Sequence, residues 1–128
     1  MEKFNDISPG LKAMLEKADE MEWSSTVWIE ESQNCRTYAE LERYSPAGED
    51  FSMIIDFDKE NQVESFRRDL RSYYEDFDVD EHVEMWIPSR GERGCPSSIR
   101  VLVEDAEAIE SMILELLEVL EDMEVDED

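Results

Sequence analysis

The apolar residues of this chain alternate from Trp23 to Phe57 and recur at helical spacing beyond it, and that change of period limits the folds open to it. Upstream, Trp23, Val27 and Ile29 share one face of an alternating stretch, while Ser24, Thr26, Trp28 and Glu30 share the other. Alternation continues in CRTYAELERY, where Ala39, Leu41 and Arg43 oppose Tyr38, Glu40, Glu42 and Tyr44. In FSMIIDF it places Phe51, Met53, Ile55 and Phe57 on one side. A period of two, carried by β-branched and aromatic residues, predicts strands with one buried face. The intervening SQN and SPAGED read as turn and loop. Together they predict an antiparallel meander of three strands.

Helical spacing brackets that meander. Ser8 and Pro9 are suited to an N-cap and a first helical position, because the hydroxyl accepts a free N–H and proline lacks one. Leu11, Met14, Leu15 and Ala18 then predict an amphipathic helix to about Glu20. After Phe57, Val63, Phe66, Leu70, Tyr73, Tyr74 and Phe77 recur at three- and four-residue steps. Asp80 is expected to cap a short helix carrying Val83, Trp86 and Ile87, which Pro88 ends. Beyond the loop SRGERGCP, Ser97 or Ser98 is expected to start another short helix through Val103. A last helix, from about Asp105 to Met123, carries Ile109, Met112, Ile113, Leu116, Leu117 and Leu120 on one stripe.

The expected architecture is α+β: an N-terminal helix, a three-stranded antiparallel meander, then three or four helices ending in a long acidic amphipathic one. One domain is expected over residues 1–123, with a disordered acidic tail at 124–128. A chain of 128 residues can bury a core without disulfides or metals. Trp23, Val27, Ile29, Phe51, Met53, Ile55, Phe66, Leu70, Trp86, Ile109, Ile113 and Leu116 are the expected interior.

Charge narrows the functions. Thirty-six acidic residues against twelve basic ones give a net charge of −24. Phosphates are repelled by such a surface, so nucleic acid and anionic membranes are excluded as direct partners. A basic partner, a cation or solubility remains. No apolar run is long enough to span a bilayer. Cys35 and Cys95 are distant and outside any CxxC pair, and no secretory leader is recognisable, so free thiols and a cytoplasmic location are expected.

Motifs for chemistry are missing. DFDVD and DFDKE space carboxylates as a calcium loop does, but a loop opening at Asp76 meets Glu81 and Ile87 where glycine and glutamate are needed. Opening at Asp56, it meets Asn61 and Arg67. His82 is the single histidine, with no second imidazole to build a zinc site. Cys95 follows Arg90 and Arg93, which favour a thiolate, yet no histidine pairs with it. RGERGCP lacks the lysine of a phosphate loop. Arg67, Arg68 and Arg71 lie among acids and are expected to make ion pairs. The chain is therefore expected to be non-enzymatic, with no cofactor and no metal.

What stands out is the end of the chain. From Glu104 onward there are twelve acids and no Lys or Arg. Like charges three or four residues apart repel, and acids at a helix C-terminus oppose its dipole. Over 25 helical residues, ~37 Å at ~1.5 Å each, those acids average one per ~3 Å, close to the ~3.4 Å per phosphate of one DNA strand. A second run, Glu75, Asp76, Asp78, Asp80, Glu81 and Glu84, also has no Lys or Arg within it.

YSPAGEDFSMIIDF and YYEDFDVDEHVEMWIPSRGERGCPSSIRVLVEDAEAIESMILEL resemble a group of small acidic proteins carried on mobile genetic elements of gut bacteria. The resemblance covers roughly residues 40 to 120, with SPAGEDF, DEHVEMW and LVEDAEAIE as its most specific blocks. It implies a context and no particular chemistry. Such elements carry antirestriction and anti-CRISPR proteins that mimic nucleic acid, which this chain matches in size and charge. The expectation is a mimic that occupies the basic nucleic-acid-binding surface of a defence nuclease. Glu107, Glu110, Glu115, Glu118, Glu121, Asp122, Asp76, Asp78, Asp80, Glu81 and Glu84 are its expected partner-binding residues. The alternative is a regulatory protein-binding module or homodimer whose acidity serves solubility.

Overall fold

A computed structural model describes residues 2–125. In chain order it contains strand β1 (Glu2–Lys3), helix α1 (Pro9–Glu20), strands β2 (Ser24–Glu30), β3 (Arg36–Tyr44) and β4 (Asp50–Phe57), then helices α2 (Gln62–Asp76), α3 (Val79–Trp86) and α4 (Ile99–Asp122). The sheet is antiparallel in the order β1-β2-β3-β4. Three strands are those expected. The fourth, β1, adds Glu2 and Lys3 against Ile29 and Trp28, and two residues are too few to show a period.

Alternation sorts the sheet as the sequence implies. Ala39, Leu41, Phe51, Met53, Ile55 and Phe57 are buried, and they share one core with Leu11, Met14, Phe66, Leu70, Ile109, Ile113 and Leu116. The sheet therefore lies on one side of the core and α1, α2 and α4 on the other. Val27, Ile29 and Trp86 depart from expectation, being only partly buried. Val27 and Ile29 belong to the strand beside the two-residue edge β1. Trp86 packs instead into a small second cluster formed by Val83, Leu102 and Ala106.

Helix boundaries follow local chemistry. Ser8 caps α1, its Oγ accepting from Leu11 N at 3.2 Å, with Pro9 at the first helical position. At the other end Trp23 N donates to Ala18 O and Glu22 N to Asp19 O, the paired bonds of a Schellman turn. Glu22 holds the left-handed position of that turn at φ 73, where a side chain is strained. Glu22→Gly is therefore expected to stabilise the protein by about 1 kcal/mol, read as a higher denaturant midpoint at unchanged slope.

Two helix expectations need correction. Asp78, not Asp80, caps α3: its carboxylate accepts from Asp80 N and Glu81 N at 2.9 and 3.2 Å. The chain leaves α2 in extended geometry at Phe77, which puts Asp78 at the boundary. The short helix expected through Val103 and the helix expected from Asp105 are one. Ser98 caps α4 and no Gly or Pro interrupts it before Asp122. Its apolar stripe runs through Leu102, Ala106, Ile109, Ile113, Leu116 and Leu120 without a change of phase, so nothing favours a break. Glu124 and Val125 follow α4 outside any helix, with Val125 packed partly against the core. The rest of the expected acidic tail, 126–128, lies outside the described residues.

Candidate partner-binding surfaces

Helix α4 buries Leu102, Asp105, Ala106, Ile109, Met112, Ile113, Leu116, Leu117 and Leu120. Directly opposite that stripe lie residues 104, 107, 111, 115, 118 and 122, at steps of three or four. Glu104, Glu107, Glu115, Glu118 and Asp122 on this line are all exposed. They span 18 residues, ~27 Å, so the ordered spacing is about one carboxylate per 7 Å, near every second phosphate of a DNA strand. That is half the density expected from the bare sequence, because Asp105, Glu110 and Glu121 lie off this line and Glu124 follows the end of the helix.

Two of those acids are diverted by contacts. Asp105 is buried: its Oδ2 accepts from Ser45 Oγ at 2.6 Å and its Oδ1 from Ala47 N at 2.9 Å. It thereby clamps the β3–β4 loop, where Gly48 turns the chain at φ +94. Glu121 accepts from Arg71 at 2.9 Å, and this hydrogen bond, followed by the Glu121 charge, pushes the already high Arg71 pKa higher. Glu110 is half-buried. The α4 C-terminus is not left unopposed either, since Arg67 of α2 donates to Leu120 O at 3.0 Å and to Met123 O at 2.7 Å. Cations missing from the last turn of α4 arrive from another helix.

The second acidic run is divided. Asp76, Asp78 and Glu81 line a groove of about 630 Å³ with Glu49 and Asp50, and with Tyr73, Phe77 and His82. Asp80 and Glu84 are exposed on α3 and do not line it, and no α4 acid does. His82 sits between α3 and the sheet, its Nε2 2.9 Å from Glu49 Oε1 and its ring against Phe51 and Phe77. The Tyr73 hydroxyl is pushed above its usual pKa, first by burial and then by the Glu49 charge. The folded state thus holds that proton more tightly, so its contribution to stability is complete below the unfolded pKa of about 10 and lost above it. Tyr73→Phe is expected to reduce the loss of stability between about pH 10 and 12, measured by denaturant titration at stepped pH.

A larger cleft, about 780 Å³, lies between the β3–β4 loop, the 89–96 loop and α4. Arg93, Cys95, Glu92 and Asp105 line it. The Cys95 thiol lies 4.0 Å from Trp86 O and 3.7 Å from Pro96 O, so carbonyls and no imidazole flank it. Among the described residues no group of three or more His, Cys, Asp and Glu side chains converges to hold a metal ion. No described helix is long and apolar enough to cross a membrane.

Comparison with family models, with curated proteins and with solved structures finds no match. The site is therefore read from its own geometry. Among the described residues, five Lys or Arg side chains make ion pairs: Lys17 with Glu20, Arg36 with Asp56, Arg43 with Glu22, Arg68 with Asp58 and Arg71 with Glu121. Even if all twelve cations were paired, twenty-four of thirty-six acids would remain. Repulsion among exposed acids is screened by salt, so the melting temperature is expected to rise from low to moderate ionic strength. A thermal scan that is flat or falling with sodium chloride would show that the ion pairs already balance the surface.

Proposed function

We propose that this protein is a non-enzymatic acidic binder that occupies a basic nucleic-acid-binding surface, such as that of a nuclease acting in defence against mobile DNA. The observation that carries this reading is the α4 line of Glu104, Glu107, Glu115, Glu118 and Asp122, five exposed carboxylates on one face of a rigid helix. Folding alone does not call for it, since neighbours on that line repel. A groove that binds phosphates at regular spacing is complementary to it in sign and, at every second phosphate, in spacing.

A regulatory binding module or homodimer whose acidity serves solubility is the second reading. It is favoured by acids elsewhere, namely the α2–α3 groove and the outer face of the sheet, which share no surface with the α4 line. The two readings part in one experiment. The protein is used as bait in nuclease-treated bacterial lysate, and captured proteins are challenged with duplex DNA. Release of a nucleic-acid enzyme by DNA supports mimicry. Capture that DNA does not reverse, or that survives neutralisation of the α4 line, supports the second reading.

A further inference from the structure

Helices cover the core-facing side of the sheet, but among the described residues none covers its other side. On that outer face the register sets Lys3, Trp28, Tyr38 and Asp56 in one row and Thr26, Glu40 and Ile54 in the next. Ser24, Glu42 and Ser52 follow, and then Tyr44 beside Asp50. Ile54 is 51% exposed and Tyr44 70%. Trp28 and Tyr38 stack with centroids 5.6 Å apart, and their polar ends are tied to Glu30 and Gln33, which fixes the rings as a platform.

Between these apolar groups stand Glu40 and Glu42. Both are half-buried, and neither has an ion pair among the described residues. Two residues apart on one strand face, their attachment points lie about 6.6 Å from each other. They are like charges, partly desolvated by their neighbours, where an ordinary sheet surface would alternate signs. Arg36, a cation on this face, is already engaged by Asp56. The face therefore offers two uncompensated carboxylates framed by aromatic and aliphatic surface. A guanidinium satisfies both parts, because it pairs with carboxylates through planar N–H forks and stacks on rings.

We propose that the outer face of β2–β4, centred on Glu40 and Glu42 between Ile54, Tyr44 and the Trp28–Tyr38 stack, docks an arginine-bearing basic segment of a partner protein. A second copy of this chain is disfavoured as the occupant, since self-association would bring Glu40 and Glu42 of each copy against the same acids. This docking face lies across the core from the α4 line, so it stands independently of the nucleic-acid-mimic reading.

The test uses the full chain and two synthetic probes of equal length and charge, an arginine-rich and a lysine-rich peptide, at fixed ionic strength. Amide and indole resonances are followed by NMR. The arginine peptide is expected to shift Trp28 Nε1–H and the amides of Glu40, Glu42 and Ile54, and to bind about two- to fivefold more tightly than the lysine peptide. Ile54→Ser and Glu40→Gln/Glu42→Gln change exposed or half-exposed groups and leave the core intact. Each is expected to weaken arginine binding and remove the preference over lysine, while the Gln changes at the α4 line leave it in place. Equal binding of both peptides, shifts confined to α4, or sedimentation as a dimer that protects this face would each overturn the proposal.

Discussion

Neutralising the α4 line is expected to abolish most partner binding while the fold is kept or strengthened. The variant carries Glu104→Gln, Glu107→Gln, Glu115→Gln, Glu118→Gln and Asp122→Asn, all at exposed positions opposite the buried stripe. Gln resembles Glu in helix propensity, so backbone preference changes little. Five like-charge pairs at helical spacing are relieved: 104 with 107, 107 with 110, 115 with 118, 118 with 121, and 118 with 122. At a few tenths of a kcal/mol each, their removal raises stability by about 1 kcal/mol. Loss of Asp122 also removes an acid from the end of the helix where the dipole disfavours one. Five pairings with a basic groove, at about 0.5–1 kcal/mol each, amount to a loss of affinity on the order of a hundredfold or more. The parent complex should weaken steeply with added salt and the variant complex should scarcely respond. Titration calorimetry against the captured partner reads the affinity, and chemical denaturation reads the stability. Equal affinity of parent and variant would assign the charge to solubility.

Asp105→Ala should have the opposite profile, a large loss of stability from an acid in the same tract. Its carboxylate accepts from the Ser45 hydroxyl and the Ala47 amide, and it is 8% exposed. Truncation removes two hydrogen bonds to a charged group and leaves their donors without partners, an expected cost of about 3 kcal/mol. Ser45 Oγ also accepts from Glu49 N, and Glu49 contacts His82, so the loop and the face of α3 should loosen together. Hydrogen exchange at Ala47 and Glu49 should accelerate more than at the centre of β3. Glu107→Ala, two positions further along the helix and exposed, should change stability by no more than about 0.5 kcal/mol. Similar effects at both positions would mean that Asp105 does not clamp the loop.

Much of this structure is written locally. The period of two through β3 and β4 put Ala39, Leu41, Phe51, Met53 and Ile55 inside, and the helical spacing of α4 did the same for Ile109, Ile113 and Leu116. Ser8 and Ser98 cap their helices because the residues they serve lie three positions away. Each of these follows from backbone geometry over a few residues, which the order of side chains determines by itself. Glu2 and Lys3 are different, since they form a strand only because β2 presents an edge to them. Choosing Asp78 over Asp80 as cap depends on how the chain leaves α2, which is set by where Phe77 packs. The acidic tract shows the division most clearly. Sequence alone supplies twelve acids without a cation, and tertiary structure decides which of the described ones are free. Asp105 reaches a loop 60 positions away, Arg71 reaches Glu121 across 50, and Arg67 reaches the end of α4 across 53 and 56. Such pairings have no local trace, because they exist only once the core has turned α2, α4 and the sheet toward one another.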